Sequence, residues 1–416
     1  MVKIKKFAGY IPPKEIAPKL IAPPYDVLDS TEARIMAEGN KYSFLHCNKP
    51  EIDLDETINL YDPLVYQTAK KNLDQFVHDG YLKKDDVPKT YVYSQRMGDH
   101  IQYGIMALSS IEDYENNLIK KHELTRKDKE DDRTKFVDVQ NANIGPVFLT
   151  YNPLKEVDAI VTTTIKGEPY AKCVTDDKVE HTLWKMTEGD SDTIVKLFST
   201  VPATYIADGH HRAASAYNVG KKRREEFLKK GGKITGNESF LYFLTIIYPA
   251  NQLMVLDYNR LLKTMNGHSN EELIKMLSEK YTVEEIKDAK IKPKAKHNHS
   301  MLLGKKWYSL TTKAGVVNEM DPIKSLDVEI LLDNVLKPIF NIQDPRTSKD
   351  IDFVGGIRGL HGLELRCEKD CKVAFAMYPV SVKEVMAVAD AKMIMPPKST
   401  WFEPKPRSGF VVNIFE

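Results

Sequence analysis

Four cysteines in 416 residues are too few to staple a chain of this length with disulfides. Cys367 and Cys371 are spaced to share one side of a helix, but no second pair of metal ligands lies near them, so they read as free thiols. A reducing, cytoplasmic setting is the expectation. Net charge is nearly absent too: 60 basic and 59 acidic residues leave +1, which excludes bulk attraction to nucleic acid or to a membrane surface. No apolar run approaches the ~20 residues that span a bilayer. The basic N-terminus, Met1 to Phe7, lacks the apolar stretch of a signal peptide. There is no P-loop, no G-x-G-x-x-G, no internal repeat and no long linker. What remains is 42% hydrophobic and 29% charged, the composition of a globular chain with two or three domains.

Against this background one stretch stands out, Ala207-Asp208-Gly209-His210-His211-Arg212-Ala213-Ala214-Ser215-Ala216. The run Val201–Ile206 before it reads as a strand, and the small residues after it read as a closely packed helix that breaks near Gly220. Asp208 is placed to cap that helix. Gly209 permits a sharp turn and the close approach of a ligand. Free N–H groups and the helix dipole make such a start a phosphate site. His210, His211 and Arg212 add donors, with Arg212 able to grip two phosphate oxygens. A purely structural capped helix is the competing reading.

Three other stretches carry chemistry. Ile21-Ala22-Pro23-Pro24-Tyr25-Asp26 sits in proline-dense sequence that forbids helix, and Tyr25 and Asp26 are cleft candidates if they are not simply packed. His122-Glu123-Leu124-Thr125 follows a probable strand inside a charged run that otherwise reads as a solvated face, with Arg133 farther on. The tail Met395-Pro396-Pro397-Lys398-Ser399-Thr400 is extended, and Lys398 and Ser399 can donate to phosphate from it unless it is a plain connection. His297 and His299 lie in a lysine-rich loop with no acidic partner in sequence. No metal-ligand set is assigned.

The coarse element pattern is α+β with mixed sheets. Helices are expected from Ser30, from Leu60 to Gly80, at 190–198, 270–280 and 325–337. Strands are expected at 90–95 and 101–108 around a Gly98-Asp99 hairpin, then at 147–151, 159–164, 240–248, 253–260, 301–311 and 372–378, with 411–415 closing a sheet. Three regions follow: 1–110 lining the cleft, 111–235 as the core, and 236–416 as a C-terminal α+β part.

Five of these pieces resemble, in order, the uncharacterised family called domain of unknown function 1015: Ala22 to Leu28, Tyr91-Val92-Tyr93, His122 to Thr125, Ala207 to Arg212, and Met395 to Thr400. Where that family suggests Pro-Thr-His-Arg, this chain has Asp257-Tyr258-Asn259-Arg260, without the histidine. A His-Glu pair, a Pro-Val strand and then Asp-Gly-His-His-Arg is also similar in order to the ParB/sulfiredoxin-like superfamily, above all to archaeal kinases of free serine. That resemblance implies a ParB/sulfiredoxin-like core, ATP or ADP as phosphoryl donor, Mg²⁺, and L-serine or a similar small hydroxyl compound as acceptor. It implies Glu123 as base with His122 and Asp208 beside it. Gly209, His210, His211 and Arg212 would form the phosphate cradle. Tyr25, Asp26 and Thr125 then fall to the substrate, and Lys398 and Ser399 to phosphate. Glu123 and Asp208 are 85 positions apart, so an insertion has to be looped out.

The chemistry agrees with this. Phosphoryl transfer to a hydroxyl needs a carboxylate to take the proton and cationic donors on the moving group. Lys120, Lys121 and Arg126 would keep Glu123 ionised, and Asp208 would be available to a metal. The alternative is a nucleotide-binding regulatory module without small-molecule kinase activity. Redox repair of the sulfiredoxin kind needs a cysteine in the phosphate motif, and Asp208–Arg212 has none. Neither nucleic acid nor membrane is expected as a partner.

Overall fold

The computed structural model describes residues 1–287 and 292–416. The chain forms two compact units: Met1–Leu253 with Pro404–Glu416, and Met254–Glu403. The division runs differently from the three regions expected from sequence. Strands from the stretches 1–110 and 111–235, and the strand Tyr242–Pro249, share one sheet of the first unit.

That sheet is mixed, as an α+β chain requires. Its order is Ile119–Lys120, Thr204–Asp208, Val147–Tyr151, Tyr242–Pro249, His100–Ser110, Tyr91–Met97, Glu180–Lys185 and Ala171–Val174, with Ile4–Lys5 also paired to His100–Ser110. Two pairings are parallel: Thr204–Asp208 with Ile119–Lys120, and Tyr242–Pro249 with Val147–Tyr151. The apolar run at 242–249 is central, as its composition predicts, and is buried almost throughout. Gly98 has φ +60° in the hairpin joining Tyr91–Met97 to His100–Ser110.

The parallel pair at the sheet's edge positions the chemistry. Neighbouring parallel strands end on the same side. Lys120 therefore delivers His122-Glu123 to the place where Asp208 delivers Gly209-His210. The residues between the motifs are not a loop. They build the helices Lys127–Gln140, Lys155–Thr164 and Glu188–Phe198 and three further strands of the same sheet.

The helix His210–Lys229 buries Ala213, Ala214, Ser215, Ala216, Val219 and Gly220. Small side chains let it lie close to its neighbours. A Cβ on Gly220 would stand 2.4 Å from the Phe240 carbonyl oxygen. The expected break at Gly220 therefore does not occur: the glycine is there for close approach, and the helix runs on to Lys229. The neighbouring helix Lys127–Gln140 is tied to it by Asp138, which pairs with Lys222 at 2.7 Å and Arg223 at 3.0 Å.

Two local expectations are corrected. Residues 159–164 belong to the helix Lys155–Thr164, where the β-branched run misleads. Val157 and Val161 recur at helical spacing and are buried, with Glu156 and Asp158 in the first turn. The proline-dense N-terminal stretch does hold one helical turn, Ala17–Leu20, with Pro18 in its first turn, where no N–H is needed.

The second unit is built on an antiparallel sheet ordered Tyr281–Ile286, Lys306–Thr312, Asn298–Leu303, Val373–Ala376, Tyr258–Leu262 and Ile351–Gly355. The expected single strand at 253–260 is two: Met254–Leu256 pairs with Trp401–Glu403, while Tyr258–Leu262 enters the sheet. Leu261, Leu302, Trp307 and Leu363 form its core. No helix among the described residues is long and apolar enough to cross a membrane.

Candidate functional site

The turn after the strand Thr204–Asp208 is made by Gly209, whose φ of +92° lies in the left-handed region. A side chain there would be strained, and its Cβ would sit 2.9 Å from the Arg212 Nε. Gly209 is itself the N-cap residue, and no side chain caps the helix, which corrects the expected capping role of Asp208. The first-turn N–H groups have no helical partners, so the helix start offers donors and a partial positive charge.

The Asp208 carboxylate is used differently. One oxygen accepts from Lys405 Nζ at 2.6 Å and the other from Arg212 at 2.6 Å. Burial pushes its carboxyl up, but the Lys405 ammonium and Arg212 guanidinium outweigh this and hold it well below the usual carboxylate range. Arg212 also donates to the Pro146 carbonyl at 2.5 Å, while its buried Nε has no partner. Both oxygens of Asp208 already face cations, so it does not fit a Mg²⁺ ligand, which needs an available hard oxygen.

His210, the first residue of the helix, is buried, and its ring meets that of buried His122 edge-on with centroids 4.6 Å apart. The exposed Glu123 carboxylate is 3.6 Å from His210 Nδ1. Ligand atoms of His122, Glu123 and His210 lie within 4.8 Å of one another. Burial pushes His122 down to about 4, against the pull of Asp208. Burial and then His122 push His210 well below the ordinary histidine value. Both rings are therefore neutral at pH 7, and Glu123 faces imidazoles rather than a fixed imidazolium.

His211 Nε2 accepts the Arg126 backbone N–H at 3.1 Å, so in the neutral ring the proton sits on Nδ1. This bond pins the 122–126 loop to the helix. Thr125 donates to Glu130 at 2.5 Å, and the other Glu130 oxygen accepts from Asn218 of the same helix at 2.8 Å. The loop carrying Glu123 is thus anchored at two points just after the carboxylate.

Beside Arg212 lies a cavity of about 50 Å³, lined by Tyr25, Asn48, Arg133, Asn143, Arg212 and Ser408 among others. At roughly 10–15 Å³ per water it holds a few waters. Tyr25 is half-buried under the Arg133 guanidinium, 4.4 Å from the ring centre, and burial pushes its hydroxyl up to about 12. Asp26 is exposed.

The first unit thus brings together Tyr25, His122, Glu123, Thr125, Asp208, Gly209, His210, His211 and Arg212. Lys398 and Ser399 belong to the second unit. There Lys398 Nζ stands 5.5 Å from the centre of the Tyr258 ring, and the Ser399 hydroxyl donates to the Pro396 carbonyl at 2.6 Å. His299 is buried in the second unit with both ring nitrogens unpartnered, and His297 Nε2 is 3.6 Å from Glu319, so an acidic neighbour absent from the local sequence comes from farther along the chain. The cation that reaches the motif from the tail is Lys405, which sequence reasoning passed over. Its signal was there: a lysine between two prolines, Pro404-Lys405-Pro406, held in extended backbone.

Among solved structures the chain is similar to free serine kinase in complex with AMP, at 14% identity over 75% of this chain and 91% of that one, with a TM-score of 0.35. It is similar to a conserved hypothetical protein from Pyrococcus furiosus, at 14% identity over 75% and 95%, with a TM-score of 0.33. It is also similar to SbnI with a C-terminal truncation from Staphylococcus aureus, at 11% identity over 74% and 87%, with a TM-score of 0.37. No curated protein matches it. The family model described as protein of unknown function (DUF1015) matches residues 4–329, and the chain belongs to that family.

Proposed function

We propose that the chain is a nucleotide-dependent phosphotransferase with a ParB/sulfiredoxin-like core, acting on the hydroxyl of free L-serine. The observation that carries this is the meeting of Glu123 with the uncapped helix start at His210, 3.6 Å apart across 87 positions of sequence. An exposed carboxylate beside free N–H donors is what hydroxyl phosphorylation requires.

In this reading Glu123 takes the proton from the serine hydroxyl as its oxygen forms the new P–O bond. The bond from the transferred phosphorus to the bridging oxygen breaks, and the nucleotide leaves one phosphate shorter: ADP from ATP, or AMP from ADP. The first-turn N–H groups of the His210–Lys229 helix face the phosphate oxygens, and the Arg212 guanidinium packed behind Gly209 adds positive charge. Asp208 holds Arg212 in place and takes no part in the proton transfer. His211 and Thr125 keep the Glu123 loop on the helix. Mg²⁺ bound with the nucleotide would supply neutralisation of phosphate charge. Asp208, with both oxygens on cations, would not hold it.

The test is purified protein with Mg²⁺, L-serine and either ATP or ADP, with O-phosphoserine read by mass spectrometry. Product with one nucleotide, lost in Glu123→Ala while nucleotide still binds, is the expected result. Undiminished product in Glu123→Ala would remove the base assignment.

A further inference from the structure

Three of the four ring nitrogens of His122 and His210 are anomalous. Both rings are at least 96% buried; His122 Nδ1, His122 Nε2 and His210 Nε2 make no hydrogen bond within 3.5 Å, and among the described residues the Ile206 backbone is the one polar backbone group near enough to act on the His122 ring. Leaving a buried polar atom unpaired costs about 1–3 kcal/mol. The fourth nitrogen, His210 Nδ1, faces Glu123 at 3.6 Å, too far for a hydrogen bond. The rings are also edge-on rather than stacked, so a nitrogen of each can approach one point.

Two donors on one zinc-class ion, each about 2.0–2.2 Å from it, stand about 3–3.5 Å apart. The 3.6 Å between Glu123 and His210 is close to that span, and the whole triad fits within 4.8 Å. Among the described residues no other cluster of histidine, cysteine and carboxylate has such spacing.

We infer that His122, Glu123 and His210 form a binding site for a divalent transition metal of the zinc class. Two imidazoles and one carboxylate suit Zn²⁺, Mn²⁺ or Fe²⁺, and imidazole is a poor ligand for Mg²⁺. Three protein ligands leave an open coordination position, the pattern of sites that also take water or a ligand atom. The backbone supports it. His122-Glu123 follows one parallel strand and His210 the next, so the sheet fixes the ligand spacing from both sides. A cation here engages the carboxylate that the kinase reading needs as a base, so Glu123 serves one use at a time and the metal-loaded chain is expected to be inactive as a kinase.

The experiment uses the tag-free full chain, stripped with chelator and equilibrated with Zn²⁺ alone, with neither nucleotide nor serine present. Metal content is read by elemental mass spectrometry and affinity by titration calorimetry. One Zn²⁺ per chain is expected, bound at least about tenfold more weakly in Glu123→Gln and about 100-fold more weakly in His122→Gln or His210→Gln. Glu123 is exposed, so Glu123→Gln tests the site with the fold intact, as circular dichroism will show. Co²⁺ in place of Zn²⁺ should give visible absorption that Glu123→Gln alters. Absent stoichiometric binding, or binding unchanged in all three variants, overturns the site. Because no phosphoryl donor is present, that failure leaves the kinase reading untouched, and a failed kinase assay leaves the metal site untouched.

Discussion

Each unit buries a histidine whose ring nitrogens go unpartnered, and their surroundings differ. In the second unit His299 is 1% exposed and packed edge-on to Tyr281, with Arg260 and His297 as its charged or titratable neighbours. Burial, then Arg260, push it down to about 3. In the first unit His122 and His210 sit equally deep but open onto the exposed carboxylate of Glu123. Depth alone makes a histidine inert; a neighbouring carboxylate with solvent access makes it part of a site. His181 of the first unit is the control. It is fully buried, but both nitrogens are bonded, to the Tyr93 hydroxyl at 2.7 Å and the Thr175 hydroxyl at 3.1 Å.

The sharpest way to break this comparison is catalytic. Glu123→Ala should lower phosphoserine formation by about 10²–10⁴-fold, the usual worth of a general base, while His299→Gln leaves the rate unchanged. Equal losses in both variants would mean that the units do not differ in function.

Acid comes next. His181 and His299 have folded values of about 3 against about 6.5 unfolded, so the unfolded chain binds more protons below pH 6.5. Their neutral burial stabilises fully above pH 6.5, and that stability is lost as pH falls toward 3. Each should cost about 1.4 kcal/mol per pH unit in that window. Denaturant midpoints at pH 7 and pH 5 should show it, with the slope reduced by one histidine's share in His299→Phe.

Smaller effects follow at the turn. Lys405→Met leaves Asp208 with Arg212 alone. Both members of the Lys405–Asp208 pair are about one-fifth exposed, so the loss should be about 1–3 kcal/mol, below that of a fully buried pair. Gly209→Ala should cost about 1–2 kcal/mol for the left-handed backbone, and it should weaken nucleotide binding because Arg212 must move. Thermal unfolding and nucleotide titration of the two variants separate these contributions.

Much of the first unit was legible because its signals are local. The strand–glycine–helix pattern at 204–210 shows in residue types alone, as do the apolar run at 242–249 and the hairpin at Gly98. What was not legible was non-local or ambiguous. Asp208 reads as a cap from sequence, but Arg212 four residues on and the distant Lys405 claim its oxygens. The Thr-rich end of the helix Lys155–Thr164 reads as a strand, since β-branched residues favour one until packing decides. The metal triad was invisible because His122 and His210 are distant in sequence and meet only through parallel strand pairing. The two-unit division was hidden likewise: nothing local at Leu253 or Pro404 says that the chain returns to its first unit.

That return has a consequence in time. Lys405 follows Asp208 by 197 positions. At roughly 5–20 residues per second, a ribosome needs about 10–40 s to cover that distance. During this interval the nascent chain holds the carboxylate and Arg212 but not the second cation. The site's electrostatics are therefore completed late in synthesis, after the whole of the second unit has been made.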